Sequence, residues 1–178
     1  GAGIGGNKVP NLEARLDKDV LSHKPNVVVI YIGINDVWHS TRGQGTEIGA
    51  FENGLRSLIK RCTDAGDRVI LSTPSVIDEK HDGSNTLNKM LHKYSAVSRK
   101  VVIETGTTLL DLRAAFIANL KEYNTANEPK GILTCDGVHL NDAGNRFVAV
   151  RMLEAVGEIA ARKRELRHVV IFKFKPEV

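Results

Sequence analysis

Runs of β-branched residues alternate along this chain with stretches of helical apolar spacing, and that alternation limits the fold more than any other feature. Val27-Val28-Val29-Ile30-Tyr31-Ile32 is a continuous apolar run, the mark of a strand buried on both faces. Arg68-Val69-Ile70-Leu71-Ser72-Thr73 is a second such strand, ended by Pro74, and 107–110 is a short third one. Between them, apolar residues recur three and four apart. A helix over 10–23 carries Leu12, Leu16 and Val20, with Leu21 widening the stripe and Pro10 in the first turn. One over 47–65 carries Phe51, Leu55, Leu58 and Ile59 and stops at Gly66. A third fits 86–104, with Leu87, Leu91, Tyr94 and Val97 on one face, and a fourth fits 112–123. The last spans 141–164, with an expected core stripe of Ala143, Phe147, Val150, Leu153 and Ala160, Gly157 lying on the same face. Segments 33–45 and 75–84 read as polar loops. Strands alternating with helices predict right-handed βαβ units, an α/β fold whose parallel sheet is covered on both faces.

With 178 residues, the chain suits one compact domain. Its net charge is +4, but Lys and Arg alternate with Asp and Glu, so no basic face emerges. Aromatic residues are only 5 % of the chain, which leaves few stacking platforms for single-stranded nucleic acid. No nucleic-acid partner is predicted. No apolar run approaches the ~18 residues that span a bilayer. Cys62 and Cys135 lie far apart without a CxxC spacing and read as two buried thiols. His23, His39, His81, His92 and His168 show no ligand spacing and read as solvated, so neither a metal nor an organic cofactor is expected.

In an open parallel sheet, ligands bind beyond the carboxyl ends of the strands. Gly33-Ile34-Asn35-Asp36 follows the first strand, and Asp136-Gly137-Val138-His139 precedes the last helix in a loop able to reach the same rim. Acyl transfer needs a nucleophile, a base, a group that orients the base, and donors for the oxyanion. An Asp three residues before a His, with a glycine between, lets the carboxylate meet one imidazole nitrogen while the other faces outward. The carboxylate then fixes the tautomer and stabilises the imidazolium. Asn35 can aim its amide at developing negative charge. Gly6, in a glycine-rich turn, lets its backbone N–H approach the same oxygen. Asp36 and Trp38 are expected to shape the loop and line the pocket.

Three segments in this order resemble three of the four signature blocks of the SGNH (GDSL-like) hydrolase family. Gly3-Ile4-Gly5-Gly6 is similar to the block supplying the oxyanion-hole glycine, here Gly6; Gly33-Ile34-Asn35-Asp36 to the GxND block, with Asn35 as the side-chain donor; and Asp136-Gly137-Val138-His139 to the DxxH block, with Asp136 as triad acid and His139 as base. The resemblance covers about residues 1–160. It implies a three-layer, flavodoxin-like fold with sheet order 2-1-3-4-5, and an esterase or lipase acting through a serine acyl-enzyme. The family's first block, a GDS that supplies the nucleophile, is absent from these residues. Ser72 and Ser75 do not stand in that context. The resemblance therefore implies that this piece lacks a strand, a helix and a second strand, that its serine lies upstream of residue 1, and that the piece alone is inactive. Strand 27–32 is then expected to show an unpaired apolar edge. Residues 1–165 are taken as the hydrolase domain. In 166–178, the run Arg167-His168-Val169-Val170-Ile171-Phe172-Lys173-Phe174-Lys175 resembles the opening strand of a fused stress-responsive A/B barrel domain; the alternative is an edge strand of the hydrolase itself.

Two readings compete with the hydrolase. Gly1-Ala2-Gly3-Ile4-Gly5-Gly6 fits GxGxxG and precedes a helix, as in a dinucleotide-binding oxidoreductase domain, although Asp36 comes too late for the usual acidic partner. A non-catalytic binding module on the same fold is the other. The substrate is expected to be a small-molecule or carbohydrate acyl ester, and the loops 37–46, 75–85 and 124–135 to shape its pocket.

Overall fold

The computed structural model describes residues 1–162 and the backbone of 169–171, with side chains to residue 157. Helix α1 (Val9–Asp19) starts with Pro10 in its first turn and buries Val9, Leu12 and Leu16. A single 3₁₀ turn (Leu21–His23) leads to β1 (Val27–Tyr31), every residue of which is buried. The chain then turns sharply at Gly33, whose φ of +116° a side chain would resist, into α2 (Ile34–Trp38). A 3₁₀ turn (His39–Arg42) follows, so the segment expected to be loop carries two helical turns directly at the strand end. Helix α3 (Ile48–Asp64) begins where the Glu47 carboxylate accepts the N–H groups of Gly49 at 2.7 Å and Ala50 at 3.1 Å. Strand β2 (Arg68–Ser72), helix α4 (Asn88–Thr105), strand β3 (Thr108–Leu110) and helix α5 (Leu112–Tyr123) come next. Helix α6 (Asp142–Arg162) and strand β4 (Val169–Ile171) complete the described elements.

The sheet is parallel throughout, in the order β3-β2-β1-β4. Successive side chains of a strand face opposite ways, and β1 therefore feeds two cores. Val28, Ile30 and Ile32 pack with residues of α1, α3 and α4, including Leu12, Phe51, Leu58 and Leu91. Val27, Val29 and Tyr31 pack with Phe116 and Leu120 of α5 and with Val148 and Met152 of α6. This is the three-layer α/β architecture that the family resemblance implies.

Two expectations are corrected. The first three residues of strand β1 do not present a free edge, because Val27, Val28 and Val29 pair in parallel with Val169, Val170 and Ile171. A buried apolar strand offers a row of unpaired N–H and C=O groups, and the β-branched segment 169–171 satisfies them. That part of the expected tail strand thus lies in this same sheet; the boundary near 165 and the rest of 166–178 fall outside the described residues. The stripe on α6 is also rotated from the expected one. Val148 and Met152 are buried, whereas Ala143 and Gly157 are exposed, Val150 is 52 % exposed and Leu153 71 % exposed. Ala160 falls outside the described side chains. Apolar residues on both sides of this helix left the facing undetermined by spacing alone, and close docking decided it.

That docking rests on Gly144. A Cβ built there would stand 1.9 Å from the Leu133 carbonyl oxygen, so only glycine lets the start of α6 lie against the preceding loop. Gly144→Ala should therefore lower the unfolding free energy by about 1–3 kcal/mol, the usual cost of overpacking. Chemical denaturation checks this, and an unchanged midpoint would refute the close approach.

Candidate active site

Both candidate segments sit at the rim where β1 ends, and each is held there by polar contacts from elsewhere in the chain. The early one begins with the turn 4–7, in which Asn7 N–H bonds to the Ile4 carbonyl at 3.4 Å and Gly6 takes a φ of +73°. Arg15 on α1 grips both flanks of this turn, donating from Nη2 to the Ala2 carbonyl at 2.6 Å and from Nε to Asn7 Oδ1 at 3.0 Å. Asn35 is 5 % exposed. Its Nδ2 donates to the Asn7 carbonyl at 3.1 Å, which ties the first turn of α2 to the glycine turn. One N–H of that amide is thereby fixed and the other remains. The Gly6 N–H is unengaged among the described residues.

Asp36 does not line a surface. It is fully buried, and its Oδ1 accepts the Val9 N–H at 3.1 Å, at the start of α1. Its role here is to join α2 to α1, which shapes the loop. Burial pushes its pKa above its ordinary value, despite the Thr46 hydroxyl and the Val9 N–H beside it. The same contact counts against a dinucleotide site. In that arrangement the helix start would receive a pyrophosphate, but a carboxylate of the protein already occupies it.

The late segment is a tight loop. Gly137 has a φ of +96°, and a Cβ there would meet the Pro129 carbonyl oxygen at 3.3 Å. With the chain so turned, Asp136 Oδ1 accepts the N–H groups of Val138 at 2.9 Å and His139 at 2.8 Å. Its Oδ2 lies 2.6 Å from His139 Nδ1. Burial raises the Asp136 pKa, but the His139 ring and these two N–H groups outweigh it and hold the carboxyl below its ordinary value. An ionised carboxylate at Nδ1 selects the tautomer with its proton there and leaves Nε2 able to accept one. No described side chain bonds to Nε2.

The two segments meet through Trp38. Its ring and that of His139 lie 5.9 Å apart, edge to face. Asn35 and Trp38 belong to the same five-residue helix. One end of α2 thus touches the glycine turn and the other touches the imidazole. Such a rim can take a proton on its late half and present two N–H donors on its early half. Ser72 and Ser75 have no part in it. Both are buried; the Ser72 hydroxyl donates to the Thr73 carbonyl at 2.8 Å, and the Ser75 hydroxyl accepts from Tyr31 at 2.7 Å. Cys135, expected to be buried, is exposed on this rim, and its Sγ lies 3.4 Å from the His139 carbonyl. Among the described residues, no group of His, Cys, Asp and Glu has the arrangement to hold a metal ion. A groove of about 250 Å³ between β3 and α6 includes Leu109, Asp111 and Arg151 but none of the candidate residues.

Sequence reasoning missed Arg15 and Glu79. Arg15 stands on a helix face, with nothing in its spacing to tie it to a glycine turn eight residues earlier. Glu79 lay in a segment read only as polar loop, yet it is fully buried beneath the Asp136–His139 loop.

A sequence model of the GDSL-like lipase/acylhydrolase family matches residues 1–147. An acetylxylan esterase of Geobacillus stearothermophilus is 32 % identical over 167 residues, spanning 91 % of this chain and 73 % of that protein. A crystal structure of an acetyl xylan esterase superposes with a TM-score of 0.86 at 45 % identity, covering 88 % of this chain and 79 % of that one. An α/β hydrolase from the metagenome of Lake Arreo, Spain, has a TM-score of 0.74 at 30 % identity, with 85 % of this chain and 69 % of that one covered. Solved structures of the Geobacillus esterase include three catalytic mutants. In them a serine, an aspartate and a histidine three positions after that aspartate are each changed to alanine. The chain belongs to the GDSL-like lipase/acylhydrolase family, in its SGNH form, and is an esterase.

Asp36 offers a test of the site's scaffold. Its raised pKa means that folding favours the protonated acid over the charged one relative to the unfolded chain. Its contribution to stability is therefore flat below the ordinary carboxylate range and falls as pH climbs through the raised folded value. Asp36→Asn keeps an oxygen for the Val9 N–H and removes the titration. Denaturant midpoints of the variant and the parent should coincide at acid pH and separate in the variant's favour as pH rises. Separation in the opposite sense would show that the charged form stabilises the fold.

Proposed function

We propose that this protein removes acetyl groups from a carbohydrate by way of a serine acyl-enzyme, with Asp136 and His139 as the acid and base of the triad and Gly6 and Asn35 as oxyanion donors. The observation that carries the reading is the 2.6 Å contact between Asp136 Oδ2 and His139 Nδ1, on a rim shared through Trp38 with Asn35. The catalytic aspartate and histidine of the Geobacillus esterase have the same separation in sequence. The acetylated sugar as substrate is supported by the activity named for that enzyme and for the acetyl xylan esterase of higher identity.

The attacking serine is proposed to come from outside residues 1–178, since Ser72 and Ser75 are buried and engaged away from His139. Its oxygen attacks the acetyl carbonyl carbon while His139 Nε2 takes its proton, and the carbonyl oxygen becomes an oxyanion facing the Gly6 N–H and the Asn35 amide. Collapse breaks the bond to the sugar oxygen, which leaves with the proton from the imidazolium. Water then repeats the sequence on the acetyl-serine, releasing acetate and restoring the serine and the neutral imidazole. Asp136 stays ionised and stabilises the imidazolium in both halves. Gly6 and Asn35 contribute most as the charge develops, because they are already oriented before it forms.

In the protein carrying that serine, assayed on acetylated xylo-oligosaccharides and on an aryl acetate, Asn35→Ala should lower kcat by ~10²–10³. His139→Ala should fall further, toward the rate that binding and the oxyanion donors alone sustain. Turnover that survives either change would refute the assignment. Hydrolysis of the aryl ester without release of acetate from the sugar would leave the mechanism standing and remove the carbohydrate.

A further inference from the structure

We propose that Glu79 is a positioning residue for the Asp136–His139 pair, acting as a built-in anion around which the loop 132–137 folds. The proposal rests on the catalytic reading of that pair. Glu79 lies in the connection between β2 and α4, and its side chain is wholly buried. A buried carboxylate is costly unless its oxygens are satisfied. Here they are satisfied by one short stretch of chain. Oε2 accepts the Ile132 N–H at 2.8 Å, and Oε1 accepts the N–H groups of Leu133 at 2.7 Å and Thr134 at 2.5 Å together with the Thr134 hydroxyl at 2.7 Å. Three successive N–H groups turned toward one point make a concavity suited to an anion, and the chain fills it with its own carboxylate. Hydrogen bonds to an ionised acceptor are about twice as strong as neutral ones. No described cation pairs with Glu79, so the backbone of the loop is what its charge holds.

The arrangement reaches the pair in one further step. The Thr134 hydroxyl that donates to Glu79 also accepts the Gly137 N–H at 3.1 Å. Asp78, next to Glu79, donates its N–H to the Gly137 carbonyl at 2.7 Å. Cys135 and Asp136, the two residues between Thr134 and Gly137, are thereby flanked by fixed backbone on both sides. The Glu79 main chain adds two ties, its N–H to the Pro129 carbonyl at 2.9 Å and its carbonyl to Asn124 Nδ2 at 3.0 Å. Glu79 touches neither Asp136 nor His139. It determines whether Asp136 Oδ2 and His139 Nδ1 stand at bonding distance.

Glu79→Gln tests this at nearly constant volume. The amide brings one oxygen and one NH₂ group to four donors, so at least one N–H of the loop loses its acceptor whichever way the amide is turned. The signature to follow is the far-downfield proton resonance of the hydrogen bond between His139 Nδ1 and Asp136, read in the folded protein. The resonance is expected in the parent and should broaden or vanish in Glu79→Gln while the methyl spectrum of the two cores is kept. Thr134→Val removes only the hydroxyl bridge, should weaken the same resonance, and decides the matter if Glu79→Gln does not fold. In the protein carrying the serine, kcat of Glu79→Gln should fall by about 10²-fold, the effect of an ångström-scale misplacement, with KM little changed because Glu79 does not touch substrate. An unaltered resonance in folded Glu79→Gln, or in Thr134→Val where that variant decides, would overturn the proposal and leave the catalytic reading intact. A resonance missing from the parent would remove the pair itself, and this proposal with it.

Discussion

Strand β1 is the constraint on which the rest hangs. Its five residues are buried on both faces, and alternate side chains enter one core with α1, α3 and α4 and another with α5 and α6. Two layers of helix can share a single strand only if that strand carries no polar side chain that needs water. The run Val27-Val28-Val29-Ile30-Tyr31 meets this condition, and even the one hydroxyl, on Tyr31, is bonded to Ser75 at 2.7 Å. Because the middle of the sheet is so uniformly apolar, everything polar is displaced to the strand ends. Gly33 turns the chain there, and α2 begins within three residues of the last strand position. The candidate site is thus a product of the same exclusion that builds the cores.

The rim is assembled from two halves with separate supports. The glycine turn and α2 are joined to α1 by Arg15, Asn35 and the buried Asp36 carboxylate. The Asp136–His139 loop is joined to the β2–α4 connection by Glu79, and to α6 by Asn141, whose Oδ1 accepts the Gly144 N–H at 2.9 Å. In the late half the distant Glu79 side chain grips main-chain N–H groups. In the early half Arg15 grips the Ala2 carbonyl and the Asn7 side chain while also pairing with Asp19. Backbone is the better thing to grip, since its position fixes every side chain that grows from it. Trp38 against His139 is where the halves come into contact.

The layers were legible in the sequence because spacing and β-branching report burial directly. Helices α3 and α5 fall where apolar recurrence put them, and the strands lie within a residue or two of the runs that predicted them. The local part of the site was legible too: the Asp136–His139 contact is made within four residues of chain, and a glycine in that loop signals the turn it requires. What spacing does not carry is facing and partnership. On α6, spacing pointed to a stripe of which Phe147 packs on the core, whereas Val150 and Leu153 are exposed and Val148 and Met152 are buried in their place. A segment read as loop after β1 formed helical turns because Gly33 redirected the backbone. Glu79 gave no sign of its role because three of its four partners are main-chain N–H groups, which are the same at every position of the sequence. The edge of β1 was misjudged for a related reason, since pairing with 169–171 is made through backbone alone.

The Glu79 carboxylate and its three N–H donors are 53, 54 and 55 residues apart along the chain. Contacts of that span close large loops, as do the pairings of Val27 with Arg68 and with Val169 in the sheet. The sheet and the rim above it are therefore both built from distant parts of the chain, whereas the helices need only neighbouring residues. A refolding experiment that watches only helix content would record the local elements and report on neither the sheet nor the chemistry.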